Sequence, residues 1–161
     1  MAALKGVSVA QISPTADREI LVSRVFHAPR ELVFKAWTDK QHVAEWFGPL
    51  GFSITVHDMD VRPGGVWRFV MHGPDGVNYG NTITFVEVKE PERLVYTHGS
   101  DTDDSVFGVT VTFVEEAGMT RLTLRQLYAS AAEREYVTRE YHAVEMANQT
   151  FDRLSEYLAA H

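Results

Sequence analysis

Glu140, His98 and Tyr79 are the side chains best suited to handling a proton. In apolar surroundings a carboxylate or an imidazole takes a shifted pKa that is useful for general acid–base work. Glu140 falls in a helical stretch and His98 on a strand, and nothing in the sequence makes them face each other. Metal chemistry has less support. The seven histidines are His27, His42, His57, His72, His98, His142 and His161, with no i,i+4 pair and no H-x-H pair among them. A zinc site needs three or four converging ligands. His57 with Asp58 and Asp60 is the best local cluster, but strand alternation separates the imidazole from both acids. The acidic run "DTDD" at 101–104 lacks the glycine and distal glutamate of a calcium loop. No nucleophile elbow, phosphate loop or dinucleotide fingerprint is present, so hydrolase, NTPase and redox readings lack support. No metal and no cofactor is expected.

Composition narrows the classes further. The 161 residues fit one domain with a sizeable core. There is no cysteine, which removes disulfides, thiolate nucleophiles and cysteine-based zinc sites together. A formal charge of −7 disfavours a nucleic-acid partner. No apolar run approaches the ~20 residues of a membrane helix, and the N-terminus does not read as a signal peptide. A cytoplasmic protein, monomer or homodimer, is the expectation. Residues 1–16 are expected to be a loose tail before a single domain at 17–161.

The elements that must position these residues follow from periodicity. Residues 18–26 alternate as a strand. Two short helices come next, the first opening at Pro29 and the second at the capping pattern Thr38-x-x-Gln41. The second ends in "HVAEWFGPL", where Gly48-Pro49 stops the chain behind adjacent aromatics. Trp46 and Phe47 there either plug the end of the core or wall a pocket. Six strands follow, at 52–61, 66–72, 78–88, 93–98, 105–115 and 119–128, joined by turns short enough to force antiparallel pairing. A second capping box, Ser130-x-x-Glu133, opens one continuous helix to about residue 158, roughly 40 Å long. Its apolar stripe runs Val137, Tyr141, Val144, Ala147, Phe151, Leu154, Leu158. An α+β fold results, with one seven-stranded antiparallel sheet curled around that helix.

Four stretches, "VFHAPRELVFKAWTDKQHVAEWFGP", "DVRPGGVWRFVMHGPDG", "PERLVYTH" and "TFDRLSEYL", carry a resemblance that covers residues 19–158. The chain resembles the bacterial relatives of the Hsp90 ATPase activator domain, within the START/Bet v 1-like superfamily. The resemblance implies the helix-grip fold and an apolar cavity between sheet and C-terminal helix, a ligand site in many relatives. It does not imply co-chaperone activity, which belongs to larger eukaryotic proteins with an extra domain. Many relatives carry a tryptophan where this chain has Ala147, and a leucine where it has Phe151, so a reshaped cavity is expected, with space kept beside Ala147.

With that cavity implied, Trp46 and Phe47 become candidate lid residues. Trp67, Phe69 and Met71 share the expected inner face of their strand, with Arg68 outside. Tyr79 and Asn81 belong to the matching set on the next strand, where they would anchor a polar head group. Tyr141, Val144, Ala147 and Phe151 would close the cavity from the helix. The favoured function is binding of a small hydrophobic ligand, apolar or aromatic. A cyclase- or aromatase-like enzyme using Glu140, His98 or Tyr79 is the alternative. A partner-binding module docking through the Trp46 end is the third reading.

Overall fold

The computed structural model describes residues 15–101 and 106–161, so most of the expected tail and most of the "DTDD" run lie outside the described residues. Residues 15 and 16, assigned to that tail, are tied down. The Thr15 hydroxyl donates to the Glu19 carboxylate and accepts from Arg125, and a 3₁₀ turn spans Ala16–Arg18.

The chain then runs β1 (Glu19–Phe26), α1 (Arg30–Thr38), α2 (Lys40–Trp46), β2 (Ser53–Met59), β3 (Val66–His72), β4 (Asn78–Lys89), β5 (Arg93–Ser100), β6 (Val106–Glu116), β7 (Met119–Leu127), α3 (Ala131–Glu140) and α4 (Ala143–Ala159). The seven strands form one antiparallel sheet in the order β1-β7-β6-β5-β4-β3-β2. Strands β2 to β7 are a meander, and β1 closes onto β7. Bulges between Val56 and Asp58 and between Phe85 and Glu87 bend the strands around the core.

The inner face of the sheet and α4 share one apolar core. Trp67, Ile83, Leu94, Leu122 and Leu154 in it are 0% exposed. On β3 the alternation is as the sequence requires: Trp67 and Phe69 point inward and Arg68 is exposed.

The C-terminal helix departs from expectation. It is two helices, not one, because His142 takes a left-handed conformation (φ 54°, ψ 47°) and interrupts the ladder. At 17 residues, α4 is about 26 Å long rather than 40. The break takes Tyr141 out of the stripe. Ala147, Phe151, Leu154 and Leu158 are buried on α4, whereas Tyr141 before it is exposed, and Val144 is exposed in the first turn of α4 although it shares the Phe151 face. Tyr141 instead meets Tyr136, ring centroids 5.5 Å apart.

Two caps also differ in detail. Thr38 folds its hydroxyl back onto the Phe34 carbonyl, which leaves Asp39 to cap α2 by accepting from the Gln41 N–H at 2.9 Å. Pro29 is the residue before the first turn of α1, and its carbonyl accepts from Leu32 and Val33. Ser130 accepts from the Glu133 N–H as expected, and Glu133 reaches back to the Ala129 N–H.

Ala147, beside which space is expected, is buried at 8% exposure, in the same core as Phe151 and Trp67 at 1% and 0%. Ala147→Trp is therefore expected to overpack the core and cost about 1–3 kcal/mol. Urea midpoints of the two proteins measure it, and an unchanged midpoint would restore the kept space.

Candidate functional site

The aromatics that the sequence singles out divide into a packed end and an open end. At the packed end, Trp46 is core. It is 1% exposed, and its indole N–H donates to the Ala36 carbonyl at 3.0 Å. The C-terminal turn of α2 places Phe47 half-buried, with its ring edge-on to Trp37, Trp46, Trp67 and Phe69. Gly48 follows at φ 110°, a conformation that side chains avoid. Arg153 of α4 holds this junction. Its guanidinium donates to the carbonyls of Gly48, Pro49 and Phe52 at 3.1, 3.3 and 2.8 Å, and to Glu45 at 3.5 Å. The Glu45 carbonyl in the last turn of α2 and three carbonyls of the loop after it thereby share one donor. Sequence reasoning missed Arg153, although a lone arginine between Phe151 and Leu154 of the stripe was the available signal.

Among the described residues the buried indole N–H of Trp67 has no hydrogen-bond partner. The buried Trp37 indole lies against the Tyr96 phenol; burial pushes that phenol well above its usual range, and a hydrogen bond from Trp37 opposes the shift. A buried donor without an acceptor costs about 1–3 kcal/mol.

The open end is a row across four neighbouring strands. Met71 on β3, Asn81 on β4, His98 on β5 and Phe107 on β6 are all half-buried. Register explains their meeting. Met71 lies across from Tyr79, two residues before Asn81; Ile83 pairs with His98; and His98 pairs with Phe107. Three rings stack along the row. His98 and Phe107 have centroids 5.0 Å apart at 27°, and Phe107 and Tyr128 are 5.0 Å apart at 26°. Phe69 meets His98 edge-on at 6.0 Å and links the row to the buried Trp67. Phe107 and Tyr128 were not anticipated as site residues, because their place in the stack depends on register across three strands.

His98 is held at a defined nitrogen. Its Nε2 lies 2.9 Å from Asn81 Oδ1, and Asn81 Nδ2 donates to the Tyr79 carbonyl at 3.0 Å. Burial among rings pushes its pKa down to about 4, so the ring is neutral at pH 7.

The other sequence candidates lie elsewhere. Glu140, expected to face the cavity, sits at the exposed end of α3 and pairs with its neighbour Arg139 at 3.2 Å. No residue of α3 is buried, which is why it cannot carry Glu140 inward. Tyr79 is 41% exposed beyond the helix-covered part of the sheet, near Phe52. Tyr141 is exposed because the chain breaks after it, and Val144 because it sits in the first turn of α4. The structure therefore does not bring Glu140, His98 and Tyr79 together. Among the described residues no group of three His, Asp or Glu could hold a metal. No helix of the described residues is long and apolar enough to cross a membrane.

A sheet wrapped on a C-terminal helix with this inner face can be compared with known proteins. The family model for the "Activator of Hsp90 ATPase homolog 1-like protein" matches residues 27–159. The chain belongs to this family. No curated protein is significantly similar in sequence. Among solved structures, protein Ms6760 of Mycobacterium smegmatis is 27% identical, with a TM-score of 0.80 over 89% of this chain and 92% of that one. A protein of Rhodobacter sphaeroides is also 27% identical, with a TM-score of 0.80 over 93% and 98% of the two chains. The AHSA1 protein of Silicibacter pomeroyi, at 23% identity and a TM-score of 0.74 over 88% and 98%, shares the fold. Membership in the Hsp90-activator-like family brings a START/Bet v 1-like, ligand-binding type of fold and names neither ligand nor reaction.

Proposed function

We propose that the protein binds a small apolar or aromatic molecule at the open end of the grip, working in the cytoplasm and without chemistry of its own. The observation that carries this reading is the row Met71, Asn81, His98 and Phe107. These four neighbouring inner-face positions stay half-open and present stacked rings with two polar groups among them. Ligand sites have this character, mostly apolar and aromatic with a few polar anchors. Enclosing about 200 Å² of apolar ligand surface is worth roughly 5 kcal/mol before binding costs.

Observations weigh against the two other readings. An acid–base enzyme needs its groups within reach, and Glu140 is exposed beside Arg139. A docking surface built on Trp46 needs that side chain at the surface, and it is buried. Native mass spectrometry of freshly purified protein, with titration of an environment-sensitive apolar dye, tests the binding reading. The expected results are a copurified small molecule or saturable dye binding, and an affinity about tenfold lower in Phe107→Ala. A folded protein that shows neither a bound mass nor saturable dye binding would refute it.

A further inference from the structure

The hydrogen bonds around His98 determine which of its nitrogens is free. The Tyr79 carbonyl can only accept, so the Asn81 atom that faces it is the amide nitrogen. Asn81 Oδ1 therefore faces His98 and accepts, and the neutral imidazole must carry its proton on Nε2. Nδ1 is left as a lone pair, and among the described residues it has no hydrogen-bond partner. The ring is clasped on one face by Phe107 and approached at its edge by Phe69. The residue as a whole is part-buried and keeps some surface exposed on the side of the row.

We infer that the row selects uncharged aromatic molecules carrying a hydroxyl or N–H group, with that group donating to His98 Nδ1 and the ring lying against the His98–Phe107–Tyr128 stack. The inference rests on the binding reading above and gives it a ligand class. An acceptor lone pair turns away a carboxylate, which offers no proton at neutral pH. The chain's charge of −7 opposes anions as well. A plain hydrocarbon fills the same volume but leaves Nδ1 unpaired while displacing its water. The low proton affinity of His98 keeps the lone pair available through the neutral range.

A matched set of bicyclic probes tests this: naphthalene, 2-naphthol, 2-methoxynaphthalene and 2-naphthoate, titrated calorimetrically into the wild-type protein and into His98→Phe. The naphthol and its methyl ether have nearly the same shape, and only the naphthol donates. The expected result is about fivefold tighter binding of 2-naphthol than of 2-methoxynaphthalene. That preference should vanish in His98→Phe, and 2-naphthoate should bind least well. A direct readout needs no variant. In a ¹H–¹⁵N spectrum of the histidine rings, the His98 Nδ1 signal should begin as an unprotonated nitrogen and move on addition of 2-naphthol but not of its ether. Equal binding of naphthalene, naphthol and ether with a stationary Nδ1 signal would overturn the ligand class while leaving the binding reading intact. A failure of every probe to bind saturably would overturn both. A spectrum showing the proton on Nδ1 would overturn the inference by itself.

Discussion

Phe151→Ala is expected to destabilise the protein by about 3–5 kcal/mol. The side chain is 1% exposed, in the middle of α4, where it packs edge-on against Phe26 of β1 at 5.6 Å. Removing it deletes most of a phenyl group from a contact between the helix and the first strand. The neighbours cannot collapse into the void, because Leu154 and Ala147 are fixed by the same helix. Phe151 also supports a polar layer. The Arg24 guanidinium lies 5.6 Å from the centre of its ring, while donating to Asp152 at 2.7 Å and to Asn148 at 3.3 Å. The ion pair is partly solvated and contributes at most about 1 kcal/mol, so the packing term dominates. A domain of this kind has about 5–15 kcal/mol in total, and the variant should lose a large share of it. Urea denaturation at neutral pH measures the change. A loss below about 1 kcal/mol would mean that α4 does not grip the sheet through this residue.

The parts of the fold that were legible are those written in short-range patterns. Alternation on 66–72 put Trp67 and Phe69 on one face and Arg68 on the other, and turns such as "GPDG" fixed the meander. The break between α3 and α4 was not legible, since "REYHAVE" contains neither glycine nor proline. A left-handed histidine costs about 1–2 kcal/mol, which tertiary packing must offset. That single residue took Tyr141 out of the stripe, and it left Val144 in the exposed first turn of α4. Glu140 failed for a related reason: its helix carries no buried residue, so proximity in sequence to the core helix meant nothing. At the site, His98 and Asn81 were visible as polar residues on inner-facing positions. Their bond to each other, and the stack on Phe107 and Tyr128, arise from register between strands, which local sequence does not encode. Trp46 shows the limit from the other side. Its sequence context fitted core plug or pocket wall, and the structure buries it with its indole N–H on the Ala36 carbonyl.

The same register gives His98 a large expected effect on acid stability. Its folded pKa is pushed down to about 4 by burial, whereas an unfolded histidine titrates near 6.5. Between those values the unfolded chain binds a proton that the native protein refuses. Stability therefore rises with pH through this window, is fully present above about 6.5, and is lost as pH falls towards 4. The shift corresponds to up to about 3 kcal/mol; solvent at the ring's open edge makes this an upper bound. The structure supplies the reason. Nε2 already donates to Asn81, and a second proton on Nδ1 would place a cation between Phe107 and Phe69 with no acceptor to meet it. Carboxylates titrate in the lower part of this range, so the wild-type curve alone is not diagnostic. The difference between wild-type and His98→Phe is. Phenylalanine keeps a ring in the stack and removes the titration, so its urea midpoint should fall less between pH 6.5 and pH 4. The wild-type midpoint should therefore drop relative to that of the variant as the solution is acidified. Parallel curves across that window would show that His98 is protonated in the folded protein as easily as in the unfolded chain. The buried, singly bonded imidazole described at the open end of the grip would then be wrong.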